Sequence, residues 1–548
     1  MSSNKDTIPV VSLFGSSEEN FYQLGLKDRE SHSDVLNHIK GLIKSPWQRV
    51  DKAVQQVAGI IANQGLNHCP GFQKRVLAYA EGLDADPADI TLAIMIPEIV
   101  SFMTRWVPGI PTSLLGCSSF FAWDEQTNSP MHGRVLDFPL QGTYDKRERA
   151  IYSKLDNGPT MLSFSATGFP YPSITTLTSE GVTFALHQKF TDTFNSKGIP
   201  IFELIFQMLQ NCGDLESTVE FLKKNNSITT WAFYMSFQNG DVLACDVMGE
   251  DKTFNTYKIE PGKIIYFNNC LENPRCQKAH FLPMGIAPYN KMRWDVADQK
   301  IKTLSKEKNL NQLKLLKAIA TPVPTRGKTS ATNWKMDTVT PSSISIMTMN
   351  AKSGESLYLP GPAPKFYQKD YLKFENCFSE DGPKQSLKSS TKTKTSRDKI
   401  LGNRSLMEAQ TCWDRSDYHG AYHNIQMAID LFDGMPESFI ARFFFAVLQY
   451  IHEPHEKVRN HLLAEFYELK DKLPPYLNDH CILFIARLEK ILQGKTTMRS
   501  GEIQHELLRK IMAFERKLPR LFFHKATAVL MNPRIDNLDV IYAHVKAI

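Results

Sequence analysis

Cys117 follows a glycine at the end of a proline- and glycine-rich stretch, WVPGIPTSLLG (106–116), and opens a strand-like run, CSSFFAW (117–123). A cysteine at the tip of a strand is open to attack chemistry in a way that one in mid-core is not. Seventeen residues on stands Arg134, and three further Asp137, both within MHGRVLDF (131–138). A guanidinium beside a thiol favours the thiolate and lowers its pKa. A carboxylate nearby orients a protonatable nitrogen. The set suits nucleophilic chemistry at sulfur. From residue types and spacing alone, a hairpin with a core cysteine and a surface ion pair reads equally well.

The elements that position these residues are strands. A turn at DEQTNSP joins CSSFFAW to MHGRVLDF as a hairpin. Arg134 and Asp137 are three apart, so a regular strand sends them to opposite faces. Both serve one site only if the strand ends or bulges between them. More strands are predicted at TMLSFSATG, SITTLTS, GVTFALHQ, TTWAFYMSFQ, DVLACDVMG, TFNTYKI and KIIYFNN, and again over 342–361. Helices at PIFELIFQMLQN and LESTVEFLKKN interrupt them, and a third helical stretch covers about 291–319. Strand clusters separated by helices predict layered α/β (α+β) architecture with mostly antiparallel sheets.

Before the hairpin, IPVVSLFG (8–15) reads as a strand and most of 16–100 as helices, broken at Gly82 and restarted with Asp86 as cap and Pro87 in the first turn. After it, residues 382–399 hold six Lys/Arg against one Asp and read as a solvated basic linker, within 376–399. Residues 400–548 read as an all-α domain whose spacing of small and aromatic residues is similar to tetratricopeptide-like hairpins.

The chain has 548 residues, 42% hydrophobic and 22% charged, which excludes wholesale disorder and suggests several domains. Its net charge of +6 comes almost entirely from the basic run, so no nucleic-acid surface is expected. The longest apolar stretch, 90–103, contains Pro97 and Glu98 and is too short to span a bilayer. The N-terminus lacks a signal-peptide pattern, so a cytoplasmic protein is expected. Nine cysteines without CxxC spacing predict neither a disulfide framework nor structural zinc. GKTS (327–330) lacks the earlier glycine of a phosphate loop, since Pro322 stands there. His419 with His423, and His452 with His455, come without a carboxylate pattern, so no metal and no cofactor is expected.

Several segments together resemble a known group. They are Gly116–Cys117 with GRVLDF (133–138), GSSEENFYQLG (15–25), YAEGLDADPADI (79–90), Glu98, FNNC (267–270) and PTR (324–326), followed by a strand pair running to GPAP. Over roughly residues 8–366 the chain is similar to the N-terminal-nucleophile (Ntn) hydrolases that include isopenicillin N acyltransferase, choloylglycine hydrolase and acid ceramidase. Val135 and Phe267 depart from the pattern.

The resemblance implies a four-layer αββα core over 117–375, preceded by a propeptide-like segment (1–116) and followed by the helical domain. It implies a self-processing cysteine hydrolase or acyltransferase acting on the linear amide of a small N-acyl substrate. Cys117 would cut the bond after Gly116 and become an N-terminal nucleophile. Asn268 (with Asn269 as competitor) would donate to the oxyanion, Asp137 would hold the ammonium, and Arg134 would support the thiolate. Arg326, or alternatively Arg293, would complete the site. The other reading is a catalytically degenerate scaffold that recruits a protein partner through residues 400–548.

Overall fold

The structure, a computed structural model, describes residues 7–43, 48–103, 116–189, 191, 193–270, 286–323, 337–368, 370–389, 395–452, 455–520, 523–529 and 531–542. Strand β1 (Val10–Gly15) leads into helices α1 (Ser17–Asp28), α2 (His32–Gly41), α3 (Gln48–His68), α4 (Pro70–Leu83) and α5 (Pro87–Met103). Strands then take over: β2 (Cys117–Asp124), β3 (Ser129–Asp137), β4 (Glu148–Leu155), β5 (Met161–Ala166), β6 (Thr175–Thr178) and β7 (Val182–Gln188). Helices α6 (Ile201–Asn211) and α7 (Leu215–Lys224) precede β8 (Thr230–Phe237), β9 (Asp241–Met248), β10 (Asp251–Lys258) and β11 (Ile265–Phe267). Next come α8 (Ile286–Leu304), α9 (Gln312–Ala320), β12 (Ser343–Asn350), β13 (Ser356–Tyr358), β14 (Asp370–Glu375) and β15 (Lys384–Ser389).

Two sheets result. One has eight strands in the order β1-β4-β5-β6-β7-β8-β9-β10, the other seven in the order β11-β2-β3-β12-β13-β14-β15. Only the β1–β4 pair is parallel among these ladders.

Side-chain alternation stacks the layers. In β8, Trp231, Phe233 and Met235 join a core with α6, whereas Ala232 and Tyr234 meet Phe121 and Phe267 of the other sheet. In β2 and β3, Phe120, Ala122 and Val135 pack against Leu315 and Ile319 of α9. The order is therefore helices, sheet, sheet, helices.

The first segment is built into this core. Arg75 Nε donates to Glu203 Oε2 at 2.9 Å, and Arg149 grips Asp28 with two nitrogens, one bond being 2.9 Å. Gly25 and Gly82 have a packing role: a methyl on Gly25 would strike Tyr79 O, and one on Gly82 would strike Tyr22 O. Their absence of a Cβ lets α1 and α4 cross in contact. The helix break expected at Gly82 falls instead after Leu83, where Asp84 adopts a left-handed φ of 59°.

Two boundaries need correction. The expected linker 376–399 contains β15, which pairs with β14, and α10 begins at Arg397. An edge strand needs backbone partners on one side only, so its lysines and serines read as a solvated tail. The C-terminal domain is not all-α. Helices α10 (Arg397–Asp414), α11 (Tyr418–Leu431), α12 (Glu437–His452), α13 (Glu456–Leu469), α14 (Pro475–Gln493), α15 (Glu506–Glu515) and α16 (Phe523–Val529) end in a hairpin of β16 (Met531–Arg534) and β17 (Asp539–Tyr542). Strands of four residues around Pro533 give too little alternation to show in a sequence. No helix among the described residues is long and apolar enough to cross a membrane.

Candidate functional site

Cys117 is the first residue of β2 and lies almost fully buried. On the face turned to the other sheet, Arg134 Nη2 donates to Cys117 Sγ at 3.2 Å and to Leu186 O at 2.6 Å. Arg134 Nε and Nη1 are buried without a partner among the described residues. Two residues along, on the same face, Ser119 Oγ lies 2.9 Å from His187 Nε2 and 3.0 Å from His132 Nε2. Burial, aided by the Arg134 charge, pushes both imidazoles far below their ordinary pKa, so they are neutral hydrogen-bonding groups at neutral pH.

The opposite face holds a second arginine. Arg293, on α8, donates through Nη2 to Cys117 O and, at 3.0 Å, to Ser118 Oγ. Its Nη1 donates to Asn269 Oδ1 at 3.1 Å. That same oxygen accepts Cys117 N at 2.8 Å, while Asn269 Nδ2 donates to Gln188 O at 2.9 Å. Two donors on one side of the amide and an acceptor on the other fix which end is oxygen.

Asp137 closes the arrangement from below. Strand β3 ends there, and the β12 ladder shifts register between Ser343 and Ser345 opposite it. The strand end or bulge that the three-residue spacing calls for does not fall between Arg134 and Asp137: β3 runs unbroken through both, and the extra residue of the shift lies in β12. Asp137 reaches the Gly116–Cys117 junction through its backbone: its N–H donates to Gly116 O at 2.8 Å. Its Oδ1 accepts from Thr340 Oγ1 at 3.2 Å and from Ser343 Oγ, and its Oδ2 has no partner among the described residues. Burial pushes this carboxyl up to about 6, against the pull of Arg293, the two hydroxyls and Arg134.

Of the residues singled out from sequence, Gly116, Cys117, Arg134 and Asp137 come together. Asn269, not Asn268, meets Cys117. Asn268 turns away, donating to Asn290 O at 3.0 Å and accepting Cys270 N at 2.9 Å. Arg293, the alternative to Arg326, meets Cys117 through its backbone carbonyl; Arg326 and GKTS lie outside the described residues. The hydroxyls of Thr340 and Ser343 went unnoticed, although TVTPSSIS is dense in them. Among the described residues no cluster of three or more His, Cys, Asp or Glu is placed to hold a metal. His452 stacks on Trp413.

Burial pushes Cys245, Cys377 and Cys481 up, which leaves them inert. Cys117 forms part of the wall of a cavity of about 60 Å³. The rest of that wall is almost wholly apolar, with Val35 and Ile39 from α2, Phe138 and Leu140 after β3, Phe202 and Trp231.

No family model and no curated protein matches the chain. Among solved structures, penicillin V acylase from Agrobacterium tumefaciens is 12% identical with a TM-score of 0.32, covering 50% of this chain and 90% of that one. The Caenorhabditis elegans ortholog of N-acylethanolamine-hydrolyzing acid amidase is 15% identical with a TM-score of 0.31, covering 43% and 93%. At those values the chemistry rests on the geometry of the site itself.

Proposed function

We propose that the chain is a self-processing cysteine hydrolase or acyltransferase of the Ntn type, acting on the linear amide of an N-acyl compound. The observation that carries this reading is the junction itself. One buried arginine holds the Cys117 sulfur, a backbone N–H holds the Gly116 carbonyl, and a side-chain amide holds the Cys117 nitrogen. Nothing about a hairpin core demands all three.

In the first reaction, Cys117 Sγ attacks the Gly116 carbonyl carbon. Negative charge develops on Gly116 O, where the Asp137 N–H already points; one such donor typically contributes on the order of 3 kcal/mol. The C–N bond breaks, the thiol proton passes to the departing nitrogen, and a thioester remains. Water opens it, leaving a Gly116 carboxylate and a free α-amine on Cys117.

That amine is then the base for its own thiol. Its pKa of about 7.7–8.0 in ordinary surroundings lies near working pH. Asn269 Oδ1 holds it, as it holds the amide before cleavage, and Asp137 Oδ2, without a partner among the described residues, is available to its protonated form. Attack on an N-acyl substrate forms an acyl-enzyme and expels the amine. Water completes a hydrolysis; a second amine completes an acyl transfer. The apolar cavity fits an apolar acyl group. Because Val35 and Ile39 line it, the severed first segment stays part of the pocket wall.

The test is trapping of the acyl-enzyme. Protein mixed with a fatty N-acyl amide and quenched in acid should gain the acyl mass on the peptide that begins with Cys117. A Cys117→Ala chain should stay full length and unlabelled. Wild-type protein that is uncut and never acylated contradicts the reading and leaves the silent scaffold, whose partner binding would survive Cys117→Ala.

A further inference from the structure

The C-terminal domain reaches the reactive site by a route that packing alone does not require. The single turn between β16 and β17, residues Ile535–Asn537, is followed by Leu538 with φ of 49°. It is pinned by buried charge. Arg534 donates to both oxygens of Asp536, at 3.1 and 2.8 Å, and to Asp414 Oδ1 at 2.6 Å. Gln410 accepts Ile535 N at 2.7 Å. Asp536 Oδ2 also accepts from Gln141 Nε2 at 3.0 Å, in the connection that supplies Phe138 and Leu140 to the cavity. These bonds dock the domain.

A separate chain of polar groups then leaves the turn and ends on Asp137. Asn537 lies 3.3 Å from Ser342 Oγ, Ser342 Oγ lies 2.9 Å from Thr340 Oγ1, and Thr340 Oγ1 donates to Asp137 Oδ1 at 3.2 Å. We propose that the C-terminal domain braces the reactive site and that Asn537 is a positioning residue, acting through Ser342 and Thr340 on Asp137. This rests on the role given to Asp137 above.

Proton counting gives the chain its direction. Three contacts share two hydroxyl hydrogens if Asn537 presents its oxygen. In that orientation Asn537 Nδ2 is also buried without a partner among the described residues. Oxygen and nitrogen of an amide are nearly identical in shape, so the network decides between them. With the amide turned, Nδ2 donates to Ser342, Ser342 to Thr340 and Thr340 to Asp137. Each of the three contacts then has a hydrogen of its own, and each bond polarises the next toward the carboxylate. Hydrogen bonds to a carboxylate favour its charged form, so the brace makes Asp137 easier to ionise.

The experiment is a burst assay on the full-length protein with the p-nitrophenyl ester of an apolar carboxylic acid. The Cys117 sulfur–acyl bond forms, the ester C–O bond breaks and p-nitrophenolate leaves, while the thiol proton passes to the α-amine. Burst rates are taken from about pH 4 to about pH 9. Asn537→Ala and Ser342→Ala should each move the midpoint up by about one pH unit, as expected for one hydrogen bond to a charged group, and so slow the burst about fivefold at pH 6 and about tenfold well below it. The double variant should be no slower than either single one, because both interrupt one chain. Ser342→Thr, which keeps the hydroxyl, should restore the wild-type profile. Tyr450→Phe, in the helical core, should lower the melting temperature and leave the profile in place. Folded Asn537→Ala and Ser342→Ala proteins with the wild-type profile would overturn the brace. If Asn537→Ala does not fold, Ser342→Ala alone decides. A wild type without any burst would instead overturn the reading at Cys117, and the brace with it.

Discussion

Two buried arginines show how the same side chain serves different ends. In the C-terminal domain Arg487 is fully engaged. It forks onto Glu515 at 2.8 and 2.5 Å and sends its remaining nitrogen to Met531 Sδ at 2.7 Å. Beside Cys117, Arg134 is equally buried but forms no ion pair among the described residues, and two of its three nitrogens are unused. A buried charge that is neutralised belongs to the architecture. One left uncompensated is costly unless something else needs it. Here that is the sulfur it touches.

The largest expected effect tests that contrast directly. Arg134→Leu should slow acylation of Cys117 by at least about a hundredfold while leaving the melting temperature unchanged or raised, since an unpaired charge gives way to an apolar group. A loss of stability as large as the loss of rate would erase the distinction.

Arg487→Leu should do the reverse. Removing one member of a buried pair takes both Arg487 bonds from Glu515 and costs about 3–5 kcal/mol of stability, read by denaturant unfolding. The fraction that remains folded should react at the wild-type rate.

Asp137→Asn separates charge from shape. The native pKa of about 6 stands above the ordinary value of 3.8. The unfolded chain therefore releases this proton more readily than the folded one. Stability is fully present below about pH 4 and falls as pH rises through about 6. The neutral variant escapes that loss, so it should gain up to about 3 kcal/mol over wild type above pH 6 and little below pH 4. Its rate should be low, and the inflection near pH 6 in the wild-type rate should vanish. A variant no more stable at pH 8 than at pH 4, relative to wild type, would contradict the buried-carboxyl assignment.

The smallest effect concerns the cavity. Ile39→Phe narrows it from the first segment's side and should raise KM for long acyl substrates by up to about tenfold, with kcat for short ones unchanged. Equal behaviour toward both would mean that the acyl group lies elsewhere.

Much of this is legible in the sequence, and the gaps have physical causes. The β2–β3 hairpin and the helices of both flanks follow from apolar periodicity. Cys117, Arg134 and Asp137 stand in one hairpin, so local geometry joins them. Asn268 and Asn269 are adjacent, and β11 ends at Phe267, so no alternation remains to choose between them. Arg293 meets Cys117 from a helix far along the chain, a pairing set only by tertiary packing. The bond from Asp137 to Gly116 O is made by backbone, which carries no residue signature. β15 and the C-terminal hairpin escaped notice because edge pairing and four-residue strands need little apolar content.

N-terminal sequencing of the purified, matured protein is the most direct measurement. Release of residues 1–116 predicts a chain of 432 residues beginning with Cys117, together with a retained partner fragment ending at Gly116. A single chain that still begins at Met1 or Ser2, with an unreactive Cys117 thiol, would contradict it.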